Sequence, residues 1–313
     1  MSQSKSYNTL TPKLALNLAA PQTWVASAIP ALFGNFYCWQ QGMTFSWIRG
    51  ILLLAACVFL QSAVNTFNDY FDYIKGTDNE GDHVEISDAV LVYSNIAPKS
   101  ALILGIVYMA AGVGEGLIAC MKAGMVPIII GIIGGVVILL YSGGPVPVSY
   151  LPIGELVSGI VMGGLIPLGI AGCADGKLHL EILLYSLPMI IGIALIMMSN
   201  NGSDIEKDRK VGRRTLPTCI GRKKTVRLYR YCIAAWVTLA SVLPLTILGP
   251  MGFISVLIIG IFGRKLIQNQ VSCKLEPKTR ITTMMGIVKM NILLNGAYTA
   301  AFAAGFIQEV FHG

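Results

Sequence analysis

Residues 51–78 read ILLLAACVFLQSAVNTFNDYFDYIKGTD, an uncharged apolar run that closes on Asn65, Asn68, Asp69 and Asp72. A second apolar run ends in almost the same way, with MMSNNGSDIEKD at 197–208. Acids at the C-terminal end of a helix stand against its macrodipole, so both clusters need a physical reason.

The rest of the composition sets their surroundings. The chain of 313 residues is 54% hydrophobic and 12% charged, with mean hydropathy +0.67. That balance lies outside the range of soluble globular domains. Apolar stretches of bilayer-spanning length recur at about 22–41, 46–70, 99–120, 124–141, 152–173, 181–201, 226–247, 249–263 and 283–308. The expectation is an all-α, polytopic membrane protein with about nine transmembrane helices in a single bundle. It forms one domain over 1–313, with a polar segment at 1–20 and loops at 73–98 and 202–225. The N-terminus has no compact apolar core followed by a small-residue cleavage site, so no cleaved signal is expected.

Charge sets the orientation. With nine helices and a cytoplasmic N-terminus, 19 of the 23 Lys and Arg residues fall on the cytoplasmic side. The other face keeps Arg49, Lys122 and Lys177, while Lys289 lies within the last helix. This asymmetry follows the positive-inside rule and accounts for the net charge of +7 without a nucleic-acid partner. The basic loops also suit anionic membrane lipid. A multi-pass protein of the inner or plasma membrane is expected, with both aspartate clusters facing the cytoplasm.

The seven cysteines form no CxxC pair and read as small buried hydrophobes, and the three histidines are dispersed. The acids are concentrated instead. Asn65, Asn68, Asp69 and Asp72 occupy i, i+3, i+4 and i+7, one face of a helix. Asn200, Asn201, Asp204 and Asp208 repeat the pattern with i, i+4 and i+8 spacing, which suggests two related halves. Carboxylates brought together repel unless a cation stands between them. Mg²⁺ takes oxygen ligands, usually one or two carboxylates plus substrate phosphates, so the pattern suits a diphosphate bridged by Mg²⁺. Lys75, Lys207, Arg209 and Lys210 are candidate phosphate partners. Solvated helix ends at headgroup depth would explain either cluster alone, but explain the pair poorly.

The same two clusters, taken with their flanks, match a known pattern. NDYFDYIKGTDNE at 68–80 and SNNGSDIEKDRKVGRRTL at 199–216 resemble the two aspartate-rich motifs of the UbiA-type intramembrane prenyltransferases. The similarity is greatest to the branch that prenylates 1,4-dihydroxy-2-naphthoate in menaquinone biosynthesis. YSGGPVPVSYLPIGELVSGIVMGGLIPLG at 141–169 and the Gly-x-x-Thr-Leu turn at 212–216 support it. The resemblance implies that Asn65, Asn68, Asp69 and Asp72 bind one Mg²⁺ and the diphosphate of a polyprenyl diphosphate. Asp204 and Asp208 would hold a second Mg²⁺, supported by Asn200 or Asn201. The allylic C–O bond would ionise, an aromatic acceptor would attack the cation, and in this branch CO₂ would depart. Tyr141 would lie near the acceptor. Tyr70, Phe71 and Tyr73 would shield the cation, or act as interfacial anchors.

The chain also departs from that branch. Ser203 and Tyr93 stand where it commonly has arginines, which leaves open an acceptor other than the naphthoate. Glu115 and Lys289 fall inside apolar segments, where a mutual ion pair is the plain expectation. Glu155 opens a helix, where it suits the dipole as well as it would suit a substrate. A transporter would place its charges near the bilayer midplane, at broken helices. Here ten of the sixteen acids lie at Asp69–Asp88 and Asp204–Asp208, which favours the enzyme. A phospholipid-headgroup transferase would use one dense aspartate motif, not two about 135 residues apart.

Overall fold

The computed structural model of the chain describes residues 7–43, 46–76 and 89–312. Residues 77–88 of the expected loop at 73–98 lie outside the described residues. Every regular element among the described residues is a helix, apart from one isolated bridge between Asn8 and Ile96. The all-α expectation holds. Six helical stretches are long and apolar enough to cross a membrane by length and composition: Trp47–Lys75, Pro98–Cys120, Met125–Ser142, Gly154–Asp175, Arg222–Phe262 and Pro277–Phe311. Leu187–Ser203 is apolar but shorter, and Val25–Gln40 has 16 residues.

In chain order the helices are α1 (Pro12–Ala19), α2 (Val25–Gln40), α3 (Trp47–Lys75), α4 (Val90–Ser94), α5 (Pro98–Cys120) and α6 (Met125–Ser142). They continue with α7 (Gly154–Asp175), α8 (Leu187–Ser203), α9 (Ile205–Lys210), α10 (Leu216–Ile220), α11 (Arg222–Leu248), α12 (Phe253–Phe262), α13 (Arg264–Ser272) and α14 (Arg280–His312). The uncharged run at 51–64 forms the middle of α3, and the polar motif continues the same helix. Ser46 caps its start by accepting the Arg49 N–H at 3.2 Å. Gly76, at φ 67°, ends it in the left-handed conformation that costs glycine little.

Apolar helix faces gain little from meeting each other in lipid, so close approach and buried hydrogen bonds must hold such a bundle. Both are present. A buried chain runs from Trp236 Nε1 to Asn295 Oδ1 at 2.9 Å, from Asn295 Nδ2 to Asn291 Oδ1 at 3.0 Å, and from Asn291 Nδ2 to the Gly192 carbonyl at 3.0 Å. It ties α11, α14 and α8. Beside it Phe33, Tyr37, Tyr298 and Phe302 stack, with Phe33 edge-on to Phe302 at 5.1 Å between centroids. Helix α7 presents Gly159 and Gly163 to the backbone of Ile190 on α8, and residues 159–165 form a π-helical stretch. Ile103, Ile106 and Leu117 on α5, with Ile129, Ile132 and Val136 on α6, point outward as lipid-facing surface.

The cysteines depart in part from the expectation of isolated buried hydrophobes. Cys219 is exposed, and the Cys120 and Cys173 sulfurs approach to 2.9 Å. Glu115 on α5 and Lys289 on α14 form no ion pair with each other among the described residues, because α5 packs chiefly against α3 while α14 packs against α2, α8 and α12.

A Cβ at Gly192 would stand 2.6 Å from both the Trp236 ring and Asn291 Oδ1. Gly192→Ala is therefore expected to cost about 1–3 kcal/mol, read as a lower melting temperature in detergent. Gly131→Ala, with nothing within 4 Å, serves as the unchanged control.

Candidate active site

The two polar clusters meet at one end of a cavity of about 820 Å³. Its polar end is lined by Asn65, Asn68, Asp69 and Asp72 from α3, Asn200 and Asp204 at the end of α8, and Lys207, Arg213 and Arg280. Its remaining walls carry Val137, Ile138, Val161, Met162, Ile193, Met197, Met284 and Ile292. Tyr141 closes one side and is nearly buried.

The first cluster keeps the expected helical face. Asn65 is fixed by its Nδ2, which donates to the Ala19 carbonyl and to Thr23 Oγ1, both at 2.8 Å. Asn68 Oδ1 accepts from the Ser142 hydroxyl. Asp69 has a structural task that spacing did not reveal. Its Oδ2 accepts the Val90 N–H at 2.7 Å and its Oδ1 the Leu91 N–H at 3.2 Å. The carboxylate so caps α4 and latches the chain after the loop onto the motif.

The second cluster departs from a single stripe. The helix breaks at Asp204, which has φ −102° and ψ 15°, and α9 starts anew. Asn200 and Asp204 stay on the cavity, but Asp208 is buried behind it. There Asp208 Oδ2 accepts from Thr215 Oγ1 at 3.3 Å. Burial pushes the Asp208 carboxyl up to about 6, against the opposing pull of Arg213. A divalent cation nearby would favour the ionised form.

Two arginines absent from the expected site hold these acids together. Arg213 places Nη2 3.0 Å from Asp72 Oδ1 and Nη1 3.7 Å from Asp208 Oδ1, bridging the two clusters. Its guanidinium lies over the Tyr150 ring at 4.6 Å. Burial works against its charge, but Asp72 and Asp208 raise its pKa overall. Gly212, at φ 76°, turns the chain so that the Arg213 N–H reaches the Asp208 carbonyl at 2.8 Å. Arg280, the first residue of α14, donates Nε to Asp204 Oδ2 at 3.0 Å and Nη2 to Asn200 Oδ1 at 2.6 Å. Ser203, where an arginine was expected, is fully buried and bonds back to the Ser199 carbonyl. The positive charge beside Asp204 comes from Arg280 on α14. The Gly-x-x-Thr-Leu turn at 212–216, which contains Arg213, is the signal that could have pointed to it; Arg280 sits 76 residues beyond Asp204 and had none.

Other expected residues lie just outside the cavity lining. Lys75 donates to the Ser142 carbonyl at 2.9 Å and stands over the Phe71 and Tyr150 rings. Asn201 donates to Glu155 at 2.8 Å, and that carboxylate is buried in the first turn of α7, as expected for its place at a helix start. Arg209 donates to the Thr218 carbonyl at 3.1 Å. Tyr70 and Tyr73 pack on Leu18, Val90, Leu91 and Ile96, so they do not shield the cavity. Tyr93 is exposed.

Chemically, the donors at the polar end are carboxylate and amide oxygens, a set suited to hard cations such as Mg²⁺. Asp69→Asn is expected to speed amide exchange across 89–97 by weakening two charge-assisted bonds, about 1.5–3 kcal/mol each. Asp72→Asn should leave that segment protected, which hydrogen-exchange mass spectrometry can read.

Comparison with known proteins agrees with this geometry. The sequence profile of the UbiA prenyltransferase family matches residues 27–293. A Bacillus subtilis relative, 1,4-dihydroxy-2-naphthoate octaprenyltransferase, is 34% identical over 215 residues, 67% of each chain. The Mycobacterium tuberculosis protein of the same name is 30% identical over 229 residues, 72% of this chain and 76% of its own. Among solved structures, a UbiA homolog from Archaeoglobus fulgidus bound to DMAPP and Mg²⁺ shares the fold at TM-score 0.63 and 18% identity, over 93% of this chain and 98% of that one. The chain therefore belongs to the UbiA prenyltransferase family and is a multi-pass membrane prenyltransferase.

Proposed function

We propose that the chain transfers a polyprenyl group from polyprenyl diphosphate to an aromatic acceptor, 1,4-dihydroxy-2-naphthoate, with loss of CO₂, as a step of menaquinone biosynthesis. The observation that carries this reading is the pair of aspartate clusters drawn together by Arg213 at the polar end of an apolar cavity. A diphosphate needs the polar end and an isoprenoid tail needs the apolar walls. The names of the Bacillus and Mycobacterium relatives support the naphthoate as acceptor.

Asp72 and Asp204 would hold Mg²⁺ directly, with Asp69 and Asp208 completing the two sites and Asn65, Asn68 and Asn200 supporting them. When bound, Mg²⁺ neutralises charge on the leaving diphosphate. Arg213, Arg280, Lys207 and Lys75 add fixed positive charge where that anion develops. The C–O bond of the allylic ester breaks and its electron pair leaves with the diphosphate. An electron-rich ring carbon attacks the allylic cation, and departure of CO₂ returns the bonding electrons to the ring. The apolar walls exclude water that would otherwise capture the cation.

The same reading includes nine crossings with the N-terminus and the aspartates on the cytoplasmic side of an inner or plasma membrane. The 41-residue stretch Arg222–Phe262 suits two crossings, since it turns at Gly249–Gly252. A different aromatic acceptor is the second reading, favoured by the loss of arginine at Ser203 and Tyr93.

Purified protein with Mg²⁺, a polyprenyl diphosphate and 1,4-dihydroxy-2-naphthoate is expected to form prenylated product and CO₂. Asp72→Ala and Asp204→Ala should each lower the rate at least about a hundredfold. Transfer only to another aromatic ring would replace the acceptor; no ionisation of any prenyl diphosphate would reject the enzyme assignment for this site.

A further inference from the structure

Three helix ends meet at the end of the bundle away from the aspartates. Arg49, in the first turn of α3, donates Nη1 to the Cys173 carbonyl of α7 at 3.1 Å. Cys120, the last residue of α5, brings its Sγ to 2.9 Å from the Cys173 Sγ. Arg49 lies 23 residues before Asp72 on the same helix, about 35 Å at the helical rise and more than the hydrocarbon thickness of a bilayer. The thiol pair and the aspartates therefore stand at opposite membrane faces.

The backbone sets up this contact as well as the side chains. After α5 the chain turns through Lys122 at φ 70° and Gly124 at φ 82°. That turn lies so close on the one after α7 that a Cβ at Gly176 would run into the Ala123 carbonyl. Elsewhere α5 packs chiefly against α3, while α7 packs against α2, α6 and α8. Cys120 and Cys173 thus sit where two helices with different neighbours come together. Cys173 is buried, whereas Cys120 is partly exposed beside the exposed Met121 and Lys122, so one sulfur of the pair is open to a reagent. Arg49 adds an electropositive setting of the kind in which cysteines react.

We propose that Cys120 and Cys173 form a disulfide that staples α5 to α7 at the face opposite the active site. The face itself rests on the orientation given above, with the aspartates cytoplasmic. Disulfides persist outside the cytoplasm and are kept reduced within it. The oxidant is a disulfide donor, either a dithiol–disulfide carrier protein or a small disulfide. The Cys120 thiolate attacks one donor sulfur, and the other donor sulfur leaves as a thiolate. Cys173 then attacks Cys120 Sγ in the mixed disulfide and expels the second donor thiolate. One S–S bond breaks in the donor and one forms in the chain. The donor takes up two electrons and the two protons that the cysteines lose. The bond closes a span of 53 residues that includes all of α6. It ties α5, and with it the helix of Asp69 and Asp72, to the cavity wall carried by Val161 and Met162 on α7.

The test takes full-length protein from cells alkylated with iodoacetamide before lysis, without reductant, and reads its peptides by mass spectrometry. A linked peptide pair containing Cys120 and Cys173 is expected, with both sulfurs alkylated only after reduction. Oxidised protein in detergent is expected to melt roughly 4–10 °C above protein reduced with dithiothreitol. Cys120→Ser and Cys173→Ser should each melt at one temperature with or without the reductant. Alkylation of both sulfurs before reduction overturns the proposal without any variant. So does a reductant effect on melting that persists in Cys120→Ser. Orientation is read separately from Cys219, which is exposed near the aspartate end. A membrane-impermeant maleimide that labels Cys219 on sealed cells would reverse the orientation; an unlinked pair with Cys219 protected would count against the disulfide alone.

Discussion

Everything at the polar end of this bundle depends on keeping like charges together in a place poor in water. Asp69 and Asp72 end one helix, and Asp204 and Asp208 straddle the break in another. Both helix ends already carry the negative pole of a dipole. Arg213 resolves the conflict by contacting Asp72 and Asp208 at once, and Arg280 by contacting Asp204 and Asn200. The arginines therefore hold the fold in register as well as charging the site.

The supports of that charge cluster come from elements far apart in sequence. Arg213 is aimed by the turn at Gly212 and stacked on Tyr150, whose carbonyl accepts the Arg214 N–H at 2.8 Å. Arg280 is presented by α14, which is fixed lower down by the Asn291–Asn295–Trp236 chain. Asp69 ties α4 to α3. The cavity walls below are methionine and branched aliphatics, adaptable surfaces for a flexible isoprenoid. A disturbance of the packing core thus reaches the site through α8, which carries Asn200 up to the break at Asp204, and through α14, which carries Arg280.

The helices, their apolar faces and both aspartate clusters were legible in the sequence because each is a local pattern. The long uncharged run before Asn65 allows little except a helix in lipid, and i, i+3, i+4 spacing fixes the face of α3. Partner choice was not legible. Arg280 lies 76 residues from Asp204 and carries no local signature, and the missing arginine at Ser203 pointed to a loss rather than a relocation. The backbone role of Asp69 depends on where the chain returns after residue 88. The break at Asp204 removed Asp208 from a stripe that spacing had drawn as continuous. Glu115 and Lys289 were paired from hydropathy alone, yet lie on surfaces that do not meet.

The central claim is that the two clusters act as one oxygen-ligand site for metal and diphosphate. Electron paramagnetic resonance of Mn²⁺, a stand-in for Mg²⁺, tests it directly in the presence of a non-ionising prenyl thiolodiphosphate. The account predicts two bound Mn²⁺ per chain, dependent on the diphosphate, with one lost in Asp72→Asn and one lost in Asp204→Asn. Binding that ignores the diphosphate, or that survives both substitutions together, would contradict it.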